Sequence, residues 1–251
     1  MILNRAVEGA GRRVLLLHPV GLDETFLRPL SERLSGSCQV MRMDLRGHGR
    51  SPVTPLASGL EEFADDVHET LVQQRFAPCA VVGFSFGGMV AQTLALRHPQ
   101  DVDALVPCAC PGTLTSENRT IAEKRGSDAE RGGMDVIVEA TLERWFTPAF
   151  RAAGKDVAAR ERLLTDDPRG WAQGWRAIAR IDNLPRLHEV RVPTLCIAGE
   201  LDKSSPPPIV QAIAKAITGA QFKVIPGAPH MLFIEQPEAV ARELLSFLGD
   251  G

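Results

Sequence analysis

Gly83-Phe84-Ser85-Phe86-Gly87-Gly88 follows the apolar run Cys79–Val82 and leads into Met89-Val90-Ala91-Gln92-Thr93-Leu94-Ala95-Leu96. The apolar run is too short for a helix and suits a buried strand, whereas the residues after the glycines have helical composition and length. A G-x-S-x-G pattern between strand and helix is the setting in which a serine is held up as a nucleophile on a sharp turn. Such a turn strains the serine backbone, so the residues two before and two after it must lack bulk for strand and helix to pass closely. The helix that follows points its amino-terminal dipole and free N–H groups at any oxyanion forming there. The pentapeptide alone is a weak signal. Between this strand and this helix it is a strong one, and Ser85 is the expected nucleophile.

Working outward, the same alternation repeats on both sides. Val14–Leu17 reads as a short buried strand, Thr25–Leu34 as a helix that Pro29 kinks or confines, and Gln39–Asp44 as a second strand ending at the loop LRGHGRS. Leu60–Arg75 has helical spacing, and Ala104–Cys110 reads as a strand made less regular by Pro107. Near the carboxyl end Val192–Ala198 and Gln221–Ile225 read as strands, Pro206–Ile217 and Pro237–Leu248 as helices. Short apolar strands alternating with amphipathic helices imply an α/β chain with a mostly parallel sheet covered on both faces. From Gly112 to Leu187 strand signals vanish. Met134–Phe146 and the Trp171, Trp175, Ile178 series have helical periodicity instead. The expected organisation is therefore a core of residues 1–111 and 188–251 with a helical cap, 112–187, over the sheet edge where ligands bind.

A serine hydroxyl needs a base. Of His18, His48, His68, His98, His188 and His230, the last follows the final strand in a Pro- and Gly-bounded loop, IPGAPH, and is the expected base. His68 and His98 read as surface or capping residues. The acid that orients the imidazole is expected after the strand Val192–Ala198, in Gly199-Glu200-Leu201-Asp202. Asp202 is preferred and Glu200 competes with it. The two oxyanion donors are expected to be the N–H groups of Phe86 and Val20, because Pro19 has none. His18 and the pair Arg46 and His48 are expected to brace their loops.

The 251 residues carry a formal net charge of −3, 44% apolar and 24% charged residues, and no run of Lys or Arg. A nucleic-acid partner would need a concentrated basic face, so none is expected, nor is an anionic membrane surface. No segment reads as a signal peptide or a membrane span. Cysteines at 38, 79, 108, 110 and 196 form neither a zinc spacing nor a disulfide framework, which leads to the expectation of reduced thiols in a cytoplasmic protein. No metal or organic cofactor is expected.

The stretches LLLHPVG, MDLRGHGRS, VVGFSFGGMVAQTLALRHP, PTLCIAGELD and IPGAPHMLFIEQPE resemble the α/β-hydrolase superfamily over nearly the whole chain. Within it, the segment GGMDVIVEATLERWFTPAF is similar to the 3-oxoadipate enol-lactonases, whose serine, aspartate and histidine match Ser85, Asp202 and His230 here. The resemblance implies a serine hydrolase that opens a small ester or lactone through an acyl-enzyme. Carbon–carbon bond hydrolases and cofactor-free perhydrolases share the triad, and a ligand-binding relative with little turnover is the alternative of a different class. The chain departs from the lactonases at Phe86, where they commonly carry methionine, and at HPVG. Its short amino terminus is expected to lack part of the antiparallel edge hairpin. The substrate of that family carries a free carboxylate, which calls for a cation. Arg144, Arg176 and Arg180 are candidates, although each reads equally as a solvated helix-face residue. Phe84, Phe86, Met89 and Trp145 are candidates for an apolar wall, with core packing the competing reading for Met89 and Trp145.

Overall fold

Seven strands form one sheet in the computed structural model, which describes residues 1–54 and 59–249. In chain order the elements begin with β1 (Arg5–Gly9), β2 (Arg12–Leu17), α1 (Arg28–Leu34), β3 (Cys38–Met43), α2 (Leu60–Gln74), β4 (Cys79–Phe84), α3 (Phe86–Arg97) and β5 (Val102–Cys108). Five helices follow: α4 (Ser116–Gly132), α5 (Asp135–Trp145), α6 (Pro148–Ala152), α7 (Val157–Leu164) and α8 (Pro168–Ala179). The chain closes with β6 (Leu195–Gly199), α9 (Pro207–Ala216), β7 (Gln221–Ile225), α10 (Leu232–Glu235) and α11 (Pro237–Gly249). The sheet order is β1-β3-β2-β4-β5-β6-β7, with β1 antiparallel to β3 and every other pair parallel. The expected core range also takes in residues 55–58 and 250–251, which lie outside the described residues.

The central strands are apolar on both faces because helices cover both: Val14–Leu17 and Cys79–Phe84 are buried throughout. Parallel pairing of β3, β2, β4, β5, β6 and β7 brings all their carboxyl ends to one edge. The loops leaving that edge carry His18–Leu22, Asp44–Ser51, Ser85, Asp202 and His230.

Several boundaries differ from the sequence expectations, for local reasons. The helix expected over Thr25–Leu34 is a 3₁₀ turn at Glu24–Leu27 followed by α1, in which Pro29 occupies the first turn, where its missing N–H does no harm. The strand expected to reach Cys110 ends at Cys108, since Ala109 has φ +49°. Residues Arg5–Gly9, too short and polar to announce a strand, are one. They cross to pair with β3 and do not fold back on β2, so the amino terminus forms an edge strand and no hairpin.

His68 and His98 are also more than surface or capping residues. Their rings stack 3.9 Å apart, and each pairs with a carboxylate: His68 with Asp101 at 2.5 Å and His98 with Asp65 at 2.7 Å. The four tie α2 to the end of α3. All five cysteines are buried and free. Among the described residues no helix is long and apolar enough to cross a membrane.

Candidate active site

The turn between β4 and α3 is shaped as the glycines demand. Ser85 sits at φ +52°, ψ −113°, a conformation that L-residues rarely adopt. A Cβ on Gly83 would lie 2.6 Å from the Gly88 nitrogen, and one on Gly87 would lie 2.6 Å from the Leu17 carbonyl carbon, so neither position admits a side chain. The Ser85 N–H donates to Cys108 O at 2.8 Å, which anchors the strained residue to the neighbouring strand.

His230 reaches the same point from the loop after β7. Its Nε2 lies 2.9 Å from Ser85 Oγ and its Nδ1 lies 2.8 Å from Asp202 Oδ2. An ionised carboxylate only accepts hydrogen bonds, so Nδ1 carries the proton and Nε2 is left to accept the Ser85 hydroxyl. Burial works against charge on Asp202, yet the His230 imidazole and the Ser205 and Ser204 N–H donors outweigh it and hold the carboxyl below its ordinary range. Those donors reach Asp202 Oδ1 at 2.9 and 2.7 Å. Glu200 points elsewhere: its carboxylate accepts the Gly227 N–H at 2.7 Å and caps the β7 turn. Met231 N–H bonds Trp145 O at 3.1 Å, tying the histidine loop to α5.

The loop after β2 brings Val20 beside Ser85. His18 orients it. The His18 Nδ1–H donates to Pro19 O at 2.7 Å while Nε2 accepts the Leu45 N–H at 2.9 Å. Because a trans peptide points its C=O and N–H in opposite directions, this bond turns the Val20 N–H away from His18. Among the described residues the Val20 N–H has no acceptor. The Phe86 N–H, first in α3, has no intrahelical partner. Burial, followed by the neighbouring His18, lowers His48 to about 3, so it stays a neutral ring beside Phe86. Arg46 braces the loop through Asp66 at 2.6 Å. A residue without a sequence signal, Asp44, gathers this region by accepting from Glu24 N at 2.8 Å, Arg50 N at 2.9 Å and Asn4 Nδ2 at 2.6 Å.

Ser85 and His230 face a cavity of about 190 Å³, bounded by Val20 and Met89 on the sheet side and by Arg125, Arg144, Trp145 and Trp175 from the inserted helices. Two expected wall residues are absent from it. Phe84 turns to the opposite side of the turn and packs on Phe233 with ring centres 4.5 Å apart, and Phe86 packs edge-on to Phe63 at 4.9 Å. Strand alternation explains the first: the residue beside the nucleophile points away from it. Arg176 takes the solvated helix-face alternative: it lies on the exposed face of α8 and pairs with Glu130. Arg180 is exposed as well and does not line the cavity.

Arg144 does line it, joined by Arg125, which the sequence reading missed. Among the described residues neither guanidinium has a carboxylate partner. Arg125 stands 4.8 Å over the Trp175 ring, and Arg144 Nη2 donates to Thr141 Oγ1 at 3.4 Å. Burial lowers both, and for Arg144 the nearby Arg125 adds to the effect, taking it to about 10.

A sheet of this order, with a strained serine, an imidazole and a carboxylate delivered by successive loops to one edge, defines a hydrolase of the α/β-hydrolase fold. The chain belongs to the alpha/beta hydrolase family, whose model matches residues 14–243. It is 28% identical to a pimeloyl-[acyl-carrier protein] methyl ester esterase of Vibrio vulnificus, with 98% of each chain covered. It is also 28% identical to 3-oxoadipate enol-lactonase 1 of Acinetobacter baylyi, over 90% of this chain and 84% of that one. Among solved structures, the enol-lactonase of Burkholderia xenovorans superposes with a TM-score of 0.93 at 27% identity, covering 98% of this chain and 96% of that one.

Proposed function

We propose that this protein hydrolyses a small carboxylic ester or lactone that bears a free carboxylate, through an acyl-enzyme on Ser85. The observation that carries the reading is the continuous line Asp202–His230–Ser85, with spacings of 2.8 and 2.9 Å, opening into a cavity lined by two guanidiniums that have no carboxylate partner among the described residues.

In this mechanism His230 Nε2 takes the Ser85 proton as Oγ attacks the carbonyl carbon. The tetrahedral oxyanion is received by the Val20 and Phe86 N–H groups, and Asp202 stabilises the imidazolium. His230 then gives the proton to the leaving alkoxide, or to the ring oxygen of a lactone. Water, deprotonated by the same imidazole, releases the acid and restores Ser85. Residues 112–187 act as a cap that closes the cavity. A volume of about 190 Å³ suits a compact substrate, below the ~300 Å³ at which drug-sized pockets begin. It favours a small lactone or half-ester over a long acyl chain. Two half-buried cations without a counter-ion among the described residues favour an anionic substrate over a neutral one.

The test is turnover on a paired panel, lactones and esters with and without a distal carboxylate, together with Ser85→Ala. Activity surviving in Ser85→Ala, or failure of an organophosphonate to label Ser85, overturns the mechanism. Equal kcat/KM for the charged and neutral members of each pair overturns the substrate class. Retention of a ligand without turnover on any member would instead favour a receptor.

A further inference from the structure

Helix α8 lies on the loop that carries Val20 and against the first residue of α3, Phe86, closely enough to set the position of the loop. Gly170 and Gly174, one turn apart, form its contact face. A Cβ on Gly174 would lie 2.8 Å from Val20 Cγ2, 3.6 Å from His48 Cε1 and 3.8 Å from Phe86 Cε1. A Cβ on Gly170 would run into the Gly47 backbone. From the other side, Gly21 has φ +79°, and a Cβ there would meet Trp171 Cζ3 at 2.6 Å and Leu163 Cδ2 at 2.7 Å. Contact this close transmits any movement of the helices directly to the Val20 peptide.

Two ion pairs of one arginine hold this arrangement together. Arg162, on α7 next to Leu163, reaches Asp23 Oδ2 with Nε at 2.6 Å and Asp166 Oδ1 with Nη2 at 2.6 Å. Asp23 ends the loop that begins at His18 and caps the following turn by accepting the Thr25 N–H at 3.0 Å. Asp166 closes the connection between α7 and α8. The cluster is largely shielded from water, with side-chain exposures of 17% for Arg162, 13% for Asp23 and 3% for Asp166. Screening is correspondingly weak there.

We propose that Arg162 is a positioning residue for the oxyanion hole: by tying Asp23 to the α7–α8 connection, it fixes where the Val20 N–H stands relative to Ser85. The inference rests on the acyl-enzyme reading. An oxyanion forms only during attack, so a displaced donor lowers the rate of attack and leaves ground-state binding nearly intact. Removing an oxyanion donor outright reduces kcat by about 10²–10³-fold, so displacing one is expected to reduce it by about 10- to 100-fold.

The experiment compares Arg162→Ala, Arg162→Lys and Asp23→Asn with Arg151→Ala. Arg151 pairs with Glu139 and Asp156, both within the inserted helices. Two readouts are taken: kcat and KM on an active ester, and the second-order rate at which a p-nitrophenyl phosphonate labels Ser85. Phosphonylation also develops charge on oxygen but needs no natural substrate. Arg162→Ala and Asp23→Asn should lose kcat and labelling rate by the same factor with KM within about twofold. Arg162→Lys should recover part of both, and Arg151→Ala should match the parent protein. Loss confined to KM, an unchanged labelling rate, or equal loss in Arg151→Ala overturns the proposal. Should Arg162→Ala fail to fold, Arg162→Lys and Asp23→Asn carry the same comparison. If no ester is turned over but labelling still falls, the substrate reading fails and the positioning role stands.

Discussion

Exchanging Arg144 for methionine keeps the aliphatic bulk of the side chain and deletes its charge, which isolates what the cation does in the cavity. Burial, then the adjacent Arg125, lowers Arg144 from 12.5 to about 10, with Glu143 pulling the other way. A depression of that size corresponds to about 3 kcal/mol of unfavourable charge burial, which solvent screening at a partly exposed group reduces to roughly 1–2 kcal/mol. A substrate carboxylate between the two guanidiniums relieves this and adds charge-assisted hydrogen bonds of about 1.5–3 kcal/mol. With part of that recovered by Arg125, Arg144→Met is expected to lose about 2–3 kcal/mol, roughly 30- to 150-fold in kcat/KM, on a carboxylate-bearing ester. The neutral ester of the same shape should change by less than about threefold. Without ligand, the variant should be more stable than the parent, by about 3 °C in Tm, because an uncompensated charge has been removed. Steady-state kinetics on the paired esters and a thermal melt with and without a small dicarboxylate measure both. Equal losses on the two esters, or a lower Tm in the variant, would refute the reasoning.

Other outcomes follow from single contacts. Asp202→Asn replaces the acceptor of the His230 Nδ1–H by a group that also donates, so kcat should fall by about 10³–10⁴-fold while Ser204 and Ser205 keep the loop folded, as a melt would verify. Gly83→Ala forces a methyl against the Gly88 nitrogen and should cost about 3 kcal/mol or more in urea unfolding, with loss of Ser85 labelling; a fully stable, active variant would contradict the packing. Asp166 is pushed up from 3.8 to about 7, first by burial, against the pull of Arg162. The unfolded chain therefore releases this proton first, and stability falls as pH rises from about 4 to 7 and is level above. Asp166→Asn should flatten that slope; urea titrations of both proteins at pH 5 and 8 decide it.

How much was legible in the chain depended on how local the cause was. The turn at 83–88 is decided by glycines that cannot bear a side chain, so it reads directly. Chain order and a loop of Pro and Gly singled out His230. Choosing between Glu200 and Asp202 was less direct, for both follow β6. Their roles separate in three dimensions, where Gly227 takes one carboxylate while His230, Ser204 and Ser205 take the other. The error at Phe84 came from treating neighbours of the nucleophile as neighbours of the cavity. Arg125 had no signal at all: α4 is polar around most of its surface, and only the close seating of Gly126 on Ala172 and Trp175 turns one of its guanidiniums inward.

By itself, then, the sequence determined the alternation of strands and helices, the strained serine turn, and the order in which serine, acid and histidine arrive. All three are written in short-range constraints: periodicity, glycine sterics and the shortness of loops. Tertiary structure decided which side chains share one volume. The Val20 N–H is aimed by His18 and held by helices more than a hundred residues further along the chain, and the paired cations come from α4 and α5. Such contacts join distant segments through packing angles and side-chain directions, which no local pattern encodes.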